Sequence, residues 1–240
     1  MQTLIYNTTL VWPDRLCENG WLLIEDGYIL DLGDEATCPK EHEQAINGET
    51  NFLLPGLIDL HCDAIEKLVE PRPGVHFDLH TAFQEADLRL AGSGITTEYH
   101  AISLDDNEFG VRSDTFAYEL RQAIEEWREE SLIRHKIHAR LELSSERGSA
   151  IIAQMIEQGA CELVSLMDHS PGQGQYRSVQ AFREYVAHTT SKSAEEIDVL
   201  LEMKRLQMAN IPQRVHHIAH LAREAGLTIA THDDDSVTKV

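Results

Sequence analysis

The sequence has no apolar run near the roughly 18 residues that a membrane-spanning helix needs, so no membrane partner is expected. Its start, MQTLIYNTTLVWPDRL, lacks a basic region followed by an apolar one. No secretory leader is expected either, and the expected location is the cytoplasm. Cysteine is scarce: Cys17, Cys38, Cys62 and Cys161 are scattered and form no CxxC pair. That disfavours a disulfide framework and a zinc knuckle, and favours unpaired cytosolic thiols. Positive charge is short as well. Twenty Lys and Arg stand against 41 Asp and Glu, a formal net charge of −21. No nucleic-acid partner is expected, because affinity for the phosphate backbone rests on clustered Lys and Arg. There is no internal repeat and no low-complexity tract.

What remains is a composition that folds. Hydrophobic residues make up 42% and charged residues 25%, so a packed core is expected rather than disorder. The 240 residues admit one large domain or two small ones. Histidine is plentiful, 13 against six Phe and six Tyr, which invites a search for metal ligands.

Residues 1–52 read as a small β unit. LIYNTTLV is β-rich, and GWLLIEDGYILDLG reads as two strands joined at a hairpin turn, Glu25-Asp26-Gly27. Residues 34–51 are polar and read as a connecting loop. Residues 53–240 have a different texture, in which β-branched runs alternate with amphipathic ones. LLPGLIDLH predicts a short buried strand and FQEADLRLAG a short helix. GITTEYHAISL predicts a strand, and residues 114–131 a helix after an Asp cap. IHARLEL, ELVSLMDH and LTIATH predict further strands. Helices are expected between Ser149 and Gly159, from the capping box Ser193-x-x-Glu196 onward, and over IPQRVHHIAHLAREAG behind Pro212. Alternating strands and helices imply parallel βα units, in a barrel or an open sheet.

The chemistry sits at strand ends. In Leu57-Ile58-Asp59-Leu60-His61-Cys62-Asp63, alternation puts His61 and Asp63 on one face and Cys62 on the other. An imidazole and a carboxylate two residues apart can grip one zinc-type divalent ion. IHARLELSS finishes with Glu142, LVSLMDHSPG with His169 and LTIATHDDD with His232. The C-terminal ends of strands are where barrel enzymes assemble catalytic groups, so these units are expected to share a metal site.

A small β unit followed by PGLIDLHxx and later strand-end histidines resembles the amidohydrolase superfamily. The departure from its common HxH motif to His61-Cys62-Asp63, with PRPGV, SGITT, LVSLMDHSPGQ-x-Q and HDD, resembles the diphosphatase family of the carbon–phosphorus lyase pathway. The resemblance runs from residue 1 to about 235. It implies a metal-dependent (β/α)8 barrel with a β-sandwich part appended, here incomplete, with strands one to six only. It implies that His61, Asp63, Glu142, His169 and His232 bind one or two divalent ions, probed first as Zn2+, with Glu142, His169 and His232 catalytic. The implied reaction splits a phosphonate-bearing ribose 5-triphosphate into the 5-phosphate and diphosphate. The superfamily's strand-eight Asp, its usual general base, has no counterpart, so the expectation is either a C-terminally shortened product or fragment, or a partner that supplies the rest.

Other residues have two readings each. Arg140 shares strand parity with Glu142; an inner carboxylate such as Asp59 would pin it, or it would touch substrate phosphate. Ser170, Gly172 and Gln173, in SPGQGQ, can offer backbone N–H groups to an anion or form an ordinary loop. Arg72 is a substrate-phosphate candidate or a surface residue. Asp168 would orient neighbouring groups or cap the next turn. His76, His80 and His100 have no fixed assignment; His100 either reaches the site from its strand or serves elsewhere. His216 and His220 form an i, i+4 pair, read as a solvated helix face. The competing functions are cleavage of an amide or amidine C–N bond at the same metal site, and a non-catalytic remnant. A homo-oligomer is compatible with all of them.

Overall fold

The computed structural model describes residues 1–72, 74–104, 113–170, 178–189, 192–232, 234 and 237. The chain divides into two compact units, Met1–Gly56 and Leu57–Val240.

In the first unit, β1 (Gln2–Val11) pairs antiparallel with β2 (Leu16–Glu25). β2 in turn pairs with β3 (Tyr28–Gly33). Asp26 and Gly27 both have positive φ, 49° and 83°, as the tight turn between right-twisted strands demands. The expected loop after β3 instead contains a 3-10 turn, Glu35–Thr37, and β4 (Gln44–Asn47). β4 and β5 (Phe52–Leu53) both run parallel to β1. Ten residues of β1 thus serve ladders on both sides, and all five strands join one sheet rather than a sandwich. Leu4, Trp21 and Leu23 form its small core.

The second unit is built of βα repeats. Its strands are β6 (Leu57–Cys62), β7 (Ile95–Leu104), β8 (Arg134–Glu142), β9 (Leu163–Met167) and β10 (Thr228–His232). All pairings are parallel, in the order β10-β9-β8-β7-β6. The resemblance implies six such strands; the described residues hold five, one for each β-branched run after residue 56. The helices are α1 (Ala64–Val69), α2 (Leu79–Gly92), α3 (Asp114–Glu126), α4 (Glu146–Glu157), α5 (Val179–Thr189), α6 (Ala194–Gln207) and α7 (Ile211–Glu224). α1 and α5 have no clear sequence signal. α3 is capped by Ser113, not by an Asp, through a bond from the Phe116 N–H. Ser193 and Glu196 make both bonds of the capping box on α6.

Ile102, Leu104, Ile137, Ala139, Leu141, Val164 and Leu166 line one face of this sheet. They pack with Phe83 and Ala86 of α2, Leu120 of α3, Ile152 and Met155 of α4 and Ile218 of α7. α4 comes so close that a Cβ on Gly148 would lie 2.2 Å from the Leu104 carbonyl oxygen. By alternation, the opposite face of β7, β8 and β9 carries Ser103, His138, Arg140, Glu142 and Ser165. β6 is not the buried strand expected: Leu57, Ile58 and Leu60 are 52%, 61% and 54% exposed. Among the described residues it is an edge strand with a ladder on one side only. Among the described residues, no helix is long and apolar enough to cross a membrane.

Candidate functional site

β8 is the backbone of the site. His138, Arg140 and Glu142 alternate with core residues, so all three project from the face opposite the helices. Arg140 Nη1 lies 2.9 Å from His61 Nε2 and 3.8 Å from Asp63 Oδ1. The two β6-side groups are themselves 3.9 Å apart. A guanidinium only donates, so His61 Nε2 accepts and the ring is neutral there. His138 holds the other side of His61, its ring edge-on at 5.2 Å, while its Nδ1–H donates to the Leu60 carbonyl at 2.8 Å.

The second couple lies at the end of β8. Glu142 is buried, and its Oε2 is 3.3 Å from His169 Nδ1. It also accepts from the His169 N–H, the Ser144 N–H and the Ser144 hydroxyl. Ser144 in turn accepts from the buried Lys204 ammonium at 3.3 Å. Burial pushes the Glu142 carboxyl up, but the His169 hydrogen bond and the Lys204 charge outweigh it and hold the group below the usual carboxylate range. Glu142 is therefore ionised in spite of its burial.

The remaining expected residues are described only in part. The backbone of His232 ends β10 in register with Met167, which is in register with Glu142. Its side chain, and Gly172 and Gln173, lie outside the described residues. Ser170 is buried, and its N–H bonds Asp168 Oδ1 at 3.0 Å, so Asp168 caps the turn. Arg72 is exposed and bridges Val75 through its backbone. His220 faces Glu224 at 3.6 Å on the exposed side of α7, the solvated face expected.

Two expectations are corrected. Arg140 is held by His61 and Asp63, not by Asp59. Asp59 turns the other way because the β6–β7 register shifts between Asp59 and Cys62. That shift gathers Asp59, Cys62 and Glu98 with ligand atoms all within 4.8 Å, the one such group of three or more among the described residues. Burial pushes the Cys62 thiol up to about 12 and the Glu98 carboxyl up to about 7. His100 does not reach the site. It stacks on His135 at 5.1 Å, with Nε2 2.9 Å from His135 Nδ1, on the face covered by Phe83 of α2. His135 Nε2 in turn meets Asp87 Oδ1 at 2.9 Å. Sequence reasoning missed His138, although the spacing of 138, 140 and 142 signals it, and Lys204, which nothing in the α6 sequence marks.

Each couple offers a divalent ion two donors, but among the described residues no three of His61, Asp63, Glu142 and His169 bring ligand atoms within 4.8 Å of one another, so the expected common site is not gathered there. A shared ion with bonds of about 2.0–2.2 Å holds tetrahedral ligand atoms about 3.3–3.6 Å apart. The imidazole–carboxylate separations here, 3.9 and 3.3 Å, lie beside that range.

No family model matches the chain. It is 32% identical over 236 residues to the alpha-D-ribose 1-methylphosphonate 5-triphosphate diphosphatase of Escherichia coli (strain K12), covering 96% of this chain and 61% of that protein. It is 35% identical over 72 residues to a 5-methylthioadenosine/S-adenosylhomocysteine deaminase of Syntrophomonas wolfei, covering 29% of this chain and 17% of that one. The crystal structure of D-hydantoinase superposes with a TM-score of 0.52 at 16% identity, over 96% of this chain and 52% of that chain. That likeness shows the fold. The chain spans about three fifths of the diphosphatase's length.

Proposed function

We propose that this chain, a sequence relative of the diphosphatase, carries the metal-binding part of a hydrolase that cleaves a phosphoric anhydride. The substrate is alpha-D-ribose 1-methylphosphonate 5-triphosphate, and the products are the 5-phosphate and diphosphate. The observation that carries it is the pair of imidazole–carboxylate couples, His61 with Asp63 and Glu142 with His169, set along one sheet face beside Arg140. The match along 96% of the chain supports the substrate class.

His61, Asp63, Glu142, His169 and His232 would hold the divalent ion or ions. A zinc-type ion bound there supplies hydroxide near neutral pH and polarises a phosphoryl oxygen. The protein's own groups do the rest. Glu142, kept ionised by His169 and Lys204, is an acceptor for a proton of the attacking water. Arg140 supplies a guanidinium to a phosphate, with Arg72, Ser170, Gly172 and Gln173 as further contacts. These local cations offset a chain of net charge −21 against a polyanionic substrate. The ligand is a small phosphorylated sugar met in the cytoplasm.

A second reading, cleavage of a cyclic amide C–N bond, is favoured by the fold shared with D-hydantoinase. The two separate in one assay. A version of the chain completed at its C-terminal side and loaded with Zn2+ is given the ribose triphosphate and, in parallel, hydantoin and dihydropyrimidine. Diphosphate release is expected, and lost in H61N/D63N. Turnover of the amides alone selects the second reading. Turnover of neither, with Zn2+ binding indifferent to H61N/D63N, removes both.

A further inference from the structure

The two faces of β6 carry different donors. His61 and Asp63 belong with Arg140, whereas Asp59 and Cys62 belong with Glu98 on β7. Glu98 is in register with His135, which Asp87 and Phe83 of α2 cover, so this second group lies on the helix side of the sheet.

Glu98 is the unusual member. It is 0% exposed, and neither of its oxygens accepts a hydrogen bond from a nitrogen or oxygen donor. The polar groups acting on it are the Cys62 thiol and the Asp59 carboxylate. A buried carboxylate without a donor is costly, and a second carboxylate facing it adds repulsion. One cation between them would serve Glu98, Asp59 and Cys62 at once.

We propose that Asp59, Cys62 and Glu98 form a second divalent metal site, of zinc type, on the helix-covered face of β6 and β7. A soft thiolate beside two carboxylates selects zinc-like ions over magnesium or calcium. The ligand atoms already lie within 4.8 Å of one another. A tetrahedral ion with bonds of about 2.0–2.3 Å needs about 3.3–3.8 Å, so the side chains close by no more than about 1.5 Å. Asp59 is pre-oriented, since its Oδ1 already accepts the His61 N–H at 3.0 Å, and its other oxygen turns to the ion. Asp59 and Cys62 are half-buried, which leaves a path of entry, and a water completes the shell. On binding, the Cys62 S–H bond breaks, an S–metal bond forms and the proton leaves to solvent; nothing is oxidised or reduced.

The probe is Co2+ added to the metal-free 240-residue chain, read by thiolate-to-cobalt absorption in the near ultraviolet. A band is expected, abolished in C62S and retained in H61N/D63N, which removes the β6 ligands of the other face. E98Q should weaken Co2+ at least tenfold while melting, metal-free, no lower than wild type, and Zn2+ should displace the band. The absence of a band overturns the proposal. So does a band that survives C62S, or one lost in H61N/D63N yet indifferent to E98Q. A carboxylic-acid infrared signal of Glu98 that persists under saturating Zn2+ overturns it too, because a proton then does what the ion was assigned. None of these outcomes depends on hydrolase activity.

Discussion

Arg140 Nη1 donates to His61 Nε2 at 2.9 Å, and the same guanidinium stands 3.8 Å from Asp63. The lone pair it uses is the one a metal ion must use, so guanidinium and metal exclude each other at His61. Loading the His61–Asp63 couple frees Arg140 beside a new positive charge, where an anion is its best partner. R140M should therefore bind Zn2+ several-fold to tenfold more tightly, about 1 kcal/mol. It should bind diphosphate more weakly once Zn2+ is present. Titration calorimetry of Zn2+ and of diphosphate reads both; an R140M protein with weaker Zn2+ binding would show that Arg140 supports the couple rather than competing for it.

Glu142 gives an acid-side signature. Its carboxyl is held below its ordinary value, so the folded state prefers the charged form. That stabilisation is complete above the unfolded value of about 4.3 and is lost as pH falls through the lower folded value. In the metal-free chain, E142Q should be less stable than wild type by a constant amount above about pH 5, with the gap closing in acid. Urea melts across this range check it, and a gap that grows in acid would be the wrong sign.

The Asp87–His135–His100 chain also loses stability in acid, but because it keeps two rings neutral and not because it keeps a carboxylate charged. Asp87 accepts from His135 Nε2, so His135 Nδ1 accepts from His100 Nε2–H and both rings are neutral. Burial, then the neighbouring His135, drives the His100 pKa down to about 3, against 6.5 for the ordinary side chain. The unfolded chain takes up protons that the fold refuses, so the His100 contribution is present above about pH 6.5 and declines toward pH 3, by up to about 1.4 kcal/mol per pH unit, and His135 acts in the same direction. H100F should flatten that slope by one proton in urea melts. D87A should cost about 3 kcal/mol at pH 7, since Asp87 also accepts from the Leu132 and Ile133 N–H groups.

Two glycines should part company. G148A places a methyl 2.2 Å from the Leu104 carbonyl oxygen, backbone that cannot rotate away, and should cost about 1–3 kcal/mol. Gly92 ends α2 with nothing within 4 Å of an added Cβ, and G92A should be neutral or stabilising by up to about 1 kcal/mol. Paired thermal melts decide it.

The sequence by itself determined the alternation of strands and helices, the Asp26-Gly27 hairpin and the Ser193–Glu196 cap, because each depends on neighbours within a few residues. It also determined that Glu142 and Arg140 share a face, since β8 runs without a bulge and parity holds along it. Parity failed on β6. A register shift between Asp59 and Cys62 turns Asp59 from Arg140 to Glu98, and no local residue pattern announces it. His100 obeys alternation, yet only the packing of α2 shows that its face is the helix side. Lys204 is a surface-type residue on an amphipathic helix until the placement of α6 carries its ammonium to Ser144 beside Glu142. Which residues alternate is set by backbone geometry within one strand; which of them meet is set by ladder register and helix docking, and those belong to the tertiary structure alone.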